Sequence, residues 1–201
     1  MNISFQHVDK TFGDKIVLRD FTLALPQRGT VVLMGPSGHG KTTLLRLLAG
    51  LEKPDRGALV AEYKRLSLVF QEDRLLGGVT AKGNILAVLN RGQEALAQTW
   101  LDHMGLGGEG HLLPGEMSGG MRRRLAIARA MAYGGDLMLL DEPFAGLDEV
   151  TRERIYPHIF HGYPERLTVL VTHDRQEAER LAERLIVLEG MPLRIVADIS
   201  K

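Results

Sequence analysis

The chain has 201 residues, enough for one α/β domain with its own core and too few for two such domains and a linker. Lys+Arg 25 balance Asp+Glu 25, so no overall basic field exists to hold a phosphate backbone, and nucleic acid is not an expected partner. With no cysteine, disulfides, thiolate nucleophiles and Cys-ligated zinc are excluded.

The opening, MNISFQHVDKTFGDK, lacks the charged and apolar regions of a secretory signal, and no later run approaches the ~18 apolar residues of a membrane span. The chain is expected not to cross a bilayer itself. ISFQHV (3–8), VLRDFTLAL (17–25) and TVVLM (30–34) read as strands, separated by the turn signals Gly13-Asp14 and Pro26-Gln27-Arg28-Gly29. TVVLM runs into a glycine-rich loop and then TTLLRLLAG, whose leucines recur helically and stop at Gly50. After the turn Pro54-Asp55-Arg56-Gly57, ALVAEY and LSLVF read as a β-hairpin over 58–70. Thr80 to Met104 is helical with a break at Asn90-Arg91-Gly92, and GLGGEGHLLPGE is a connector without periodicity. Ser118 caps a helix through RRRLAIARAMA, and DLMLL, LTVLV and LIVL then alternate with helical stretches, the pattern of buried parallel strands.

GPSGHGKT at 35–42 fits G-x-x-x-x-G-K-[ST] between a strand and a helix, the context in which that pattern is informative. Its glycines allow successive backbone N–H groups to turn toward phosphate oxygens, Lys41 offsets β/γ charge, and Thr42 offers a hydroxyl to Mg²⁺. The binding set is thus Gly35, Pro36, Ser37, Gly38, His39, Gly40, Lys41, Thr42 and Thr43. LMLLDE (137–142) is an apolar strand ending in two acids: Asp141 is the candidate Mg²⁺ holder, and Glu142 is placed to orient or deprotonate an attacking water. A helix cap or a solvated strand end is the bland alternative. MSGGM (117–121) sets Ser118, Gly119 and Gly120 at a helix start, a second anion-binding arrangement unless it is a plain cap with flexible glycines. If two such phosphate sites cannot meet within one fold, a natural solution is a head-to-tail dimer in which each ATP is covered by the partner's SGG. Phosphate-loop chemistry alone leaves kinases, GTPases and motors open.

The series GPSGHGKT, VFQED, MSGGM, LMLLDEP, AGLD and VTHD, in that order, resembles the ABC ATPase family across nearly the whole chain. The resemblance implies an α/β P-loop NTPase fold with a mostly parallel core sheet, an N-terminal antiparallel β layer and a small helical insert. It implies one ABC ATPase domain over 1–201, with 1–75 and 133–201 as β layer and catalytic core and 76–132 as helical insert including the signature loop. By the same resemblance Ser118, Gly119 and Gly120 face the other subunit's ATP, and Gln71 senses Mg²⁺ and the γ-phosphate. Asp148 crosses the dimer, His173 is the switch histidine beside the γ-phosphate, and Phe12 stacks on adenine, where core packing would equally suit a Phe between strands. ATP and Mg²⁺ are the implied ligands. The implied partners are a second copy of the chain and membrane-spanning permease subunits, with an extracytoplasmic solute-binding protein in the case of an importer. The place implied is the cytoplasmic face of the membrane.

Met121 stands where the signature usually has glutamine, removing an amide while keeping length. SGGMR together with QEDRLL is similar to importer ATPases of the nitrate, sulfonate and taurine group, although Gly77-Gly78 stands where that group commonly has Pro-Trp. The expected function is therefore ATP hydrolysis powering a prokaryotic small-solute importer, without an appended regulatory domain after LRIVADIS. The competing readings are a small-cassette exporter and a non-transport family member of DNA maintenance or translation, which typically carries coiled-coil insertions or duplicated cassettes. Arg122 to Arg124 read as a solvated, locally structural face rather than a nucleic-acid patch.

Overall fold

In the computed structural model, which describes residues 1–201, the alternating N-terminal pattern forms β1 (Asn2–Phe12) and β2 (Lys15–Leu25), joined by a turn in which Gly13 takes φ +57°. They pair antiparallel, and β4 (Arg56–Glu62) pairs antiparallel with the other edge of β1, giving the order β2-β1-β4. The second sheet has the order β5-β6-β7-β3-β8-β9, built from β3 (Gly29–Met34), β5 (Leu66–Val69), β6 (Leu137–Asp141), β7 (Leu167–Thr172), β8 (Arg184–Glu189) and β9 (Arg194–Ser200). Here β6, β7, β3 and β8 are parallel, and β9 returns antiparallel along β8. Every residue of β6 and β7 is buried, as expected of central strands covered on both faces.

The chain folds as two compact units, Met1–Leu68 with Asp136–Glu142 and Pro164–Lys201, and Val69–Gly135 with Pro143–Tyr163. In the first, α1 (Lys41–Leu48) packs on β4, β6 and β7. Leu44, Leu45, Leu47 and Leu48 join Phe5, Val8, Phe21, Val31, Val169 and Ile186 in a continuous core. Phe5 meets Phe21 edge-on at 5.7 Å. A short helix α6 (Arg175–Leu181) completes this unit.

The second unit is helical. α2 (Ala81–Leu86), α3 (Glu94–His103), α4 (Gly119–Tyr133) and α5 (Glu149–Phe160) pack on one another over buried Ile85, Leu101, Leu125, Ile127, Ile155 and Ile159. Three of the helix starts have a local reason: the hydroxyls of Thr80 and Ser118 and the carboxylate of Asp148 accept backbone N–H groups of the first turns of α2, α4 and α5. Gly134, in the left-handed region, ends α4. No helix is long and apolar enough to cross a membrane.

Two sequence expectations are corrected, and one strand is added to them. The hairpin over 58–70 does not form: β4 lies in the antiparallel sheet and β5 at the edge of the other. Asp136, just before β6, ties down the connection: its carboxylate accepts the backbone N–H of Lys64 (2.9 Å) and of Arg65 (2.6 Å), and β5 lies at the edge of the sheet beside β6. The arginine run is not a solvated face. Arg123 is 5% exposed and donates to the carbonyls of Phe70 (2.6 Å), Gln71 (3.1 Å) and Pro143 (2.9 Å), while Arg122 and Arg124 bond the carbonyls of Met117 and Met104. Finally, β9 has no counterpart in the sequence reading; its exposed Arg194, Val196 and Asp198 alternate with half-buried Ile195 and Ala197, the pattern of an edge strand.

Candidate nucleotide-binding site

Strand β3 delivers the chain to the Gly35–Gly40 loop, and α1 carries it away. Gly35 lies so close to β8 that a Cβ there would fall on the carbonyl oxygen of Leu188, so only glycine lets the loop leave the sheet at this point. Gly40 adopts φ +109°, and a Cβ on it would strike Val17 of β2. Gly38, at φ +77°, faces open space with nothing within 4 Å of its Cβ position. The loop is thus pinned at both ends and hollow in the middle, the shape of an anion cradle opening on a helix N-terminus. Ser37 is exposed, and His39 within the same loop has a buried Nδ1 without a hydrogen-bond partner.

Lys41 Nζ donates to the carbonyls of Gly35 (2.7 Å) and Pro36 (2.8 Å), leaving the third ammonium proton for an incoming oxygen. Burial holds its pKa below the ordinary lysine value, and the carboxylates of Glu142 and Asp141 pull the other way. The loop lysine and both strand-end acids therefore share one electrostatic site. Asp141 is 4% exposed at the last position of β6, and Thr42 stands exposed at the first turn of α1. A hydroxyl and a carboxylate are hard oxygen donors, the ligand type that Mg²⁺ takes.

Glu142 N–H still donates to Val171 O (3.0 Å), as a strand residue would, but its φ of +45° turns the chain out of β6. A non-glycine residue in the left-handed region stores strain of a kind that collects at functional sites. The turn points its carboxylate at His173, whose Nδ1 lies 3.2 Å from Oε1. His173 is held in turn: Thr172 ends β7 with its hydroxyl accepting Asp174 N–H (3.0 Å), and the Asp174 carboxylate caps α6 through Gln176 and Glu177.

A family model described as ABC transporter matches residues 18–145, which include the phosphate loop and the strand-end acids Asp141 and Glu142. The chain belongs to the ABC transporter family. It is 42% identical over 196 residues to the aliphatic sulfonates import ATP-binding protein SsuB 1 of Nocardia farcinica, covering 93% of this chain and 78% of that one. It is 36% identical to the sulfate/thiosulfate import ATP-binding protein CysA of Synechocystis sp., covering 94% of this chain and 59% of the relative. Among solved structures it superposes with TM-score 0.84 and 27% identity on an ATP-binding cassette in a dimeric post-hydrolysis state bound to ADP and Pi, covering 98% of both chains. The fold expected from the motif series, a P-loop ABC ATPase with an antiparallel β layer, is the one observed.

Of the sequence-derived candidates in this ABC ATPase, Gly35 to Thr43, Asp141, Glu142, His173 and Phe12 belong to the first unit, and Gln71, Ser118, Gly119, Gly120 and Asp148 to the second. Phe12 is not a core residue. The residue is 43% exposed at the β1–β2 turn, with Lys10 Nζ 4.9 Å from the ring centroid. The sequence reading passes over Lys15, whose Nζ donates to Gly38 O (3.2 Å), and Val17 and Leu188, which wall the loop. None carries a motif, because each meets the loop through tertiary packing rather than spacing. Ser118 Oγ accepts Met121 N–H (3.2 Å), and Asp148 accepts Thr151 N–H (2.9 Å) and its hydroxyl (2.8 Å). Capping therefore accounts locally for both, whatever else they do.

Proposed function

We propose that this chain is the ATP-hydrolysing subunit of a small-solute importer, working as a head-to-tail dimer on permease subunits at the cytoplasmic face of the membrane. The observation that carries the reading is the shared site of Lys41, Asp141 and Glu142, with His173 in contact with Glu142. In this reading the N–H groups of Gly38 to Thr43 and the Lys41 ammonium take up the β- and γ-phosphates. Thr42 and Asp141 hold Mg²⁺, which when bound screens the phosphate charge and polarises the bond to be broken. Glu142 accepts a proton from, or orients, the water that attacks the γ-phosphate. His173 fixes the Glu142 carboxylate and contacts that phosphate, so that loss of the phosphate is felt at both ends of the pair.

Phe12 offers its exposed ring to adenine. Gln71, Ser118, Gly119, Gly120 and Asp148 carry the roles implied by the family resemblance: Gln71 reports on Mg²⁺ and γ-phosphate, the Ser118 loop covers the partner copy's ATP, and Asp148 lies at the dimer contact. Residues 76–132 form the insert that meets the permease. ATP binding closes the dimer and hydrolysis reopens it, which drives the permease between access states. The relatives named for sulfonate and for sulfate or thiosulfate import support a sulfur oxyanion as cargo, delivered by an extracytoplasmic binding protein.

The test compares ATPase activity and light-scattering mass of the wild type and Glu142→Gln with and without Mg·ATP. A variant that loses turnover and becomes an ATP-dependent dimer supports the reading. A wild type that hydrolyses ATP as a monomer, with Glu142→Gln neither slower nor dimeric, overturns it.

A further inference from the structure

Lys10 is a charged residue on the inward face of β1, 8% exposed, and nothing in the phosphate chemistry uses it. It lies two residues before Phe12, the last residue of β1. The ammonium sits over the Phe12 ring at 4.9 Å from the centroid, within the range of a cation–π contact. The segment that follows α1 holds it there: Nζ donates to Lys53 O (2.9 Å) and faces Asp55 Oδ1 (3.4 Å) and Glu52 Oε2 (3.4 Å). Glu52 also faces Arg46 of α1 (3.6 Å), and Asp55 accepts Thr11 N–H (2.7 Å). One face of the ring is therefore backed by a fixed cation, and Phe12 as a residue remains 43% exposed.

We infer that Lys10 is a positioning residue for nucleotide binding: it clamps one face of Phe12 and ties the ring to the segment after α1, so that the other face is a fixed platform for a purine. The inference rests on the reading of Phe12 as the adenine-stacking residue. A backing cation also withdraws electron density from the ring, which suits stacking on an electron-rich purine. Fixing the ring in advance removes part of the ordering cost that the base would otherwise meet on binding.

The experiment measures equilibrium affinities of the full chain for Mg·ATP and for Mg·tripolyphosphate, which has the phosphates but no base, in wild type, Lys10→Met, Lys10→Arg, Phe12→Leu and the Lys10→Met/Phe12→Leu double variant. The expected result is an ATP affinity lowered about two- to fivefold in Lys10→Met, the scale of one cation–π contact, with affinity for tripolyphosphate unchanged. Lys10→Arg retains most of the ATP affinity, and Lys10→Met has no further effect once Phe12 is Leu. If Phe12→Leu weakens ATP but Lys10→Met does not, the Lys10 inference fails while the Phe12 reading stands. If Phe12→Leu leaves ATP affinity unchanged, the Phe12 reading fails and the inference with it. If Lys10→Met weakens ATP and tripolyphosphate alike, or still weakens ATP in the Phe12→Leu background, Lys10 acts through the phosphate loop or through folding, and the inference is overturned.

Discussion

His173 Nδ1 stands 3.2 Å from Glu142 Oε1, joining the ends of two neighbouring parallel strands at the point where β6 leaves the sheet through a left-handed residue. In the proposed mechanism the histidine fixes the glutamate and contacts the transferred phosphate. His173→Ala is therefore expected to lower ATP turnover about 10²-fold or more, the scale of a positioned acid–base partner, with little change in melting temperature because the ring is exposed. Steady-state kcat and a thermal melt on the same preparation check this.

The glycines of the loop are expected to fail in different ways. Gly35→Ala drives a Cβ into the Leu188 carbonyl and lowers stability, because backbone on both sides cannot give way. Gly38→Ala meets no atom, so its cost is confined to a positive φ, about 1 kcal/mol, and the loss appears mainly in nucleotide affinity. Denaturant titrations paired with ATP binding separate the two.

Asp148 and Ser118 are caps as well as proposed dimer contacts. Ser118→Ala and Asp148→Ala each lose a cap worth about 1 kcal/mol. Asp148→Ser keeps the cap, so ATP-dependent dimerisation that fails in Asp148→Ser at near wild-type stability assigns Asp148 to the interface. Light scattering in Mg·ATP beside a urea titration gives the answer.

Arg123 serves three carbonyls, among them that of Gln71, from a buried position. Arg123→Met keeps the apolar stem but strands those acceptors, and is expected to cost about 1–3 kcal/mol. Hydrogen exchange is expected to rise first around Phe70 to Asp73 and at Pro143 to Phe144, which a mass-spectrometric map reads directly.

His158 stacks on His103 at 4.0 Å, and burial, then His103, then Arg154 hold its pKa below the ordinary histidine value. A depressed folded value means that the unfolded chain takes up the proton first. The associated stability is full above the unfolded value near 6.5 and is lost as pH falls through the folded one. His158→Phe retains a ring against His103 and removes the titration, so its melting temperature is expected to fall less than the wild type's between pH 7.5 and pH 5.5.

Sequence alone determined the parts whose chemistry is local. GPSGHGKT needs only its own spacing and the strand before it, LMLLDE only its apolar run and its two acids, and the start of α4 only the Ser118 hydroxyl before a helical pattern. Tertiary structure decided whatever depends on residues far apart in the chain. The expected hairpin is instead two strands of two sheets, and the carboxylate of Asp136, far along the chain, accepts the Lys64 and Arg65 amides between them. The Glu142–His173 contact exists because β6 and β7 pair in parallel register, and Gly35 must be glycine because β8 passes behind it. Phe12 has its backing cation because the segment after α1 lies beside β1 and holds Lys10 over the ring. Spacing fixes what a residue can do within a turn or a loop, and only packing fixes which other groups it meets.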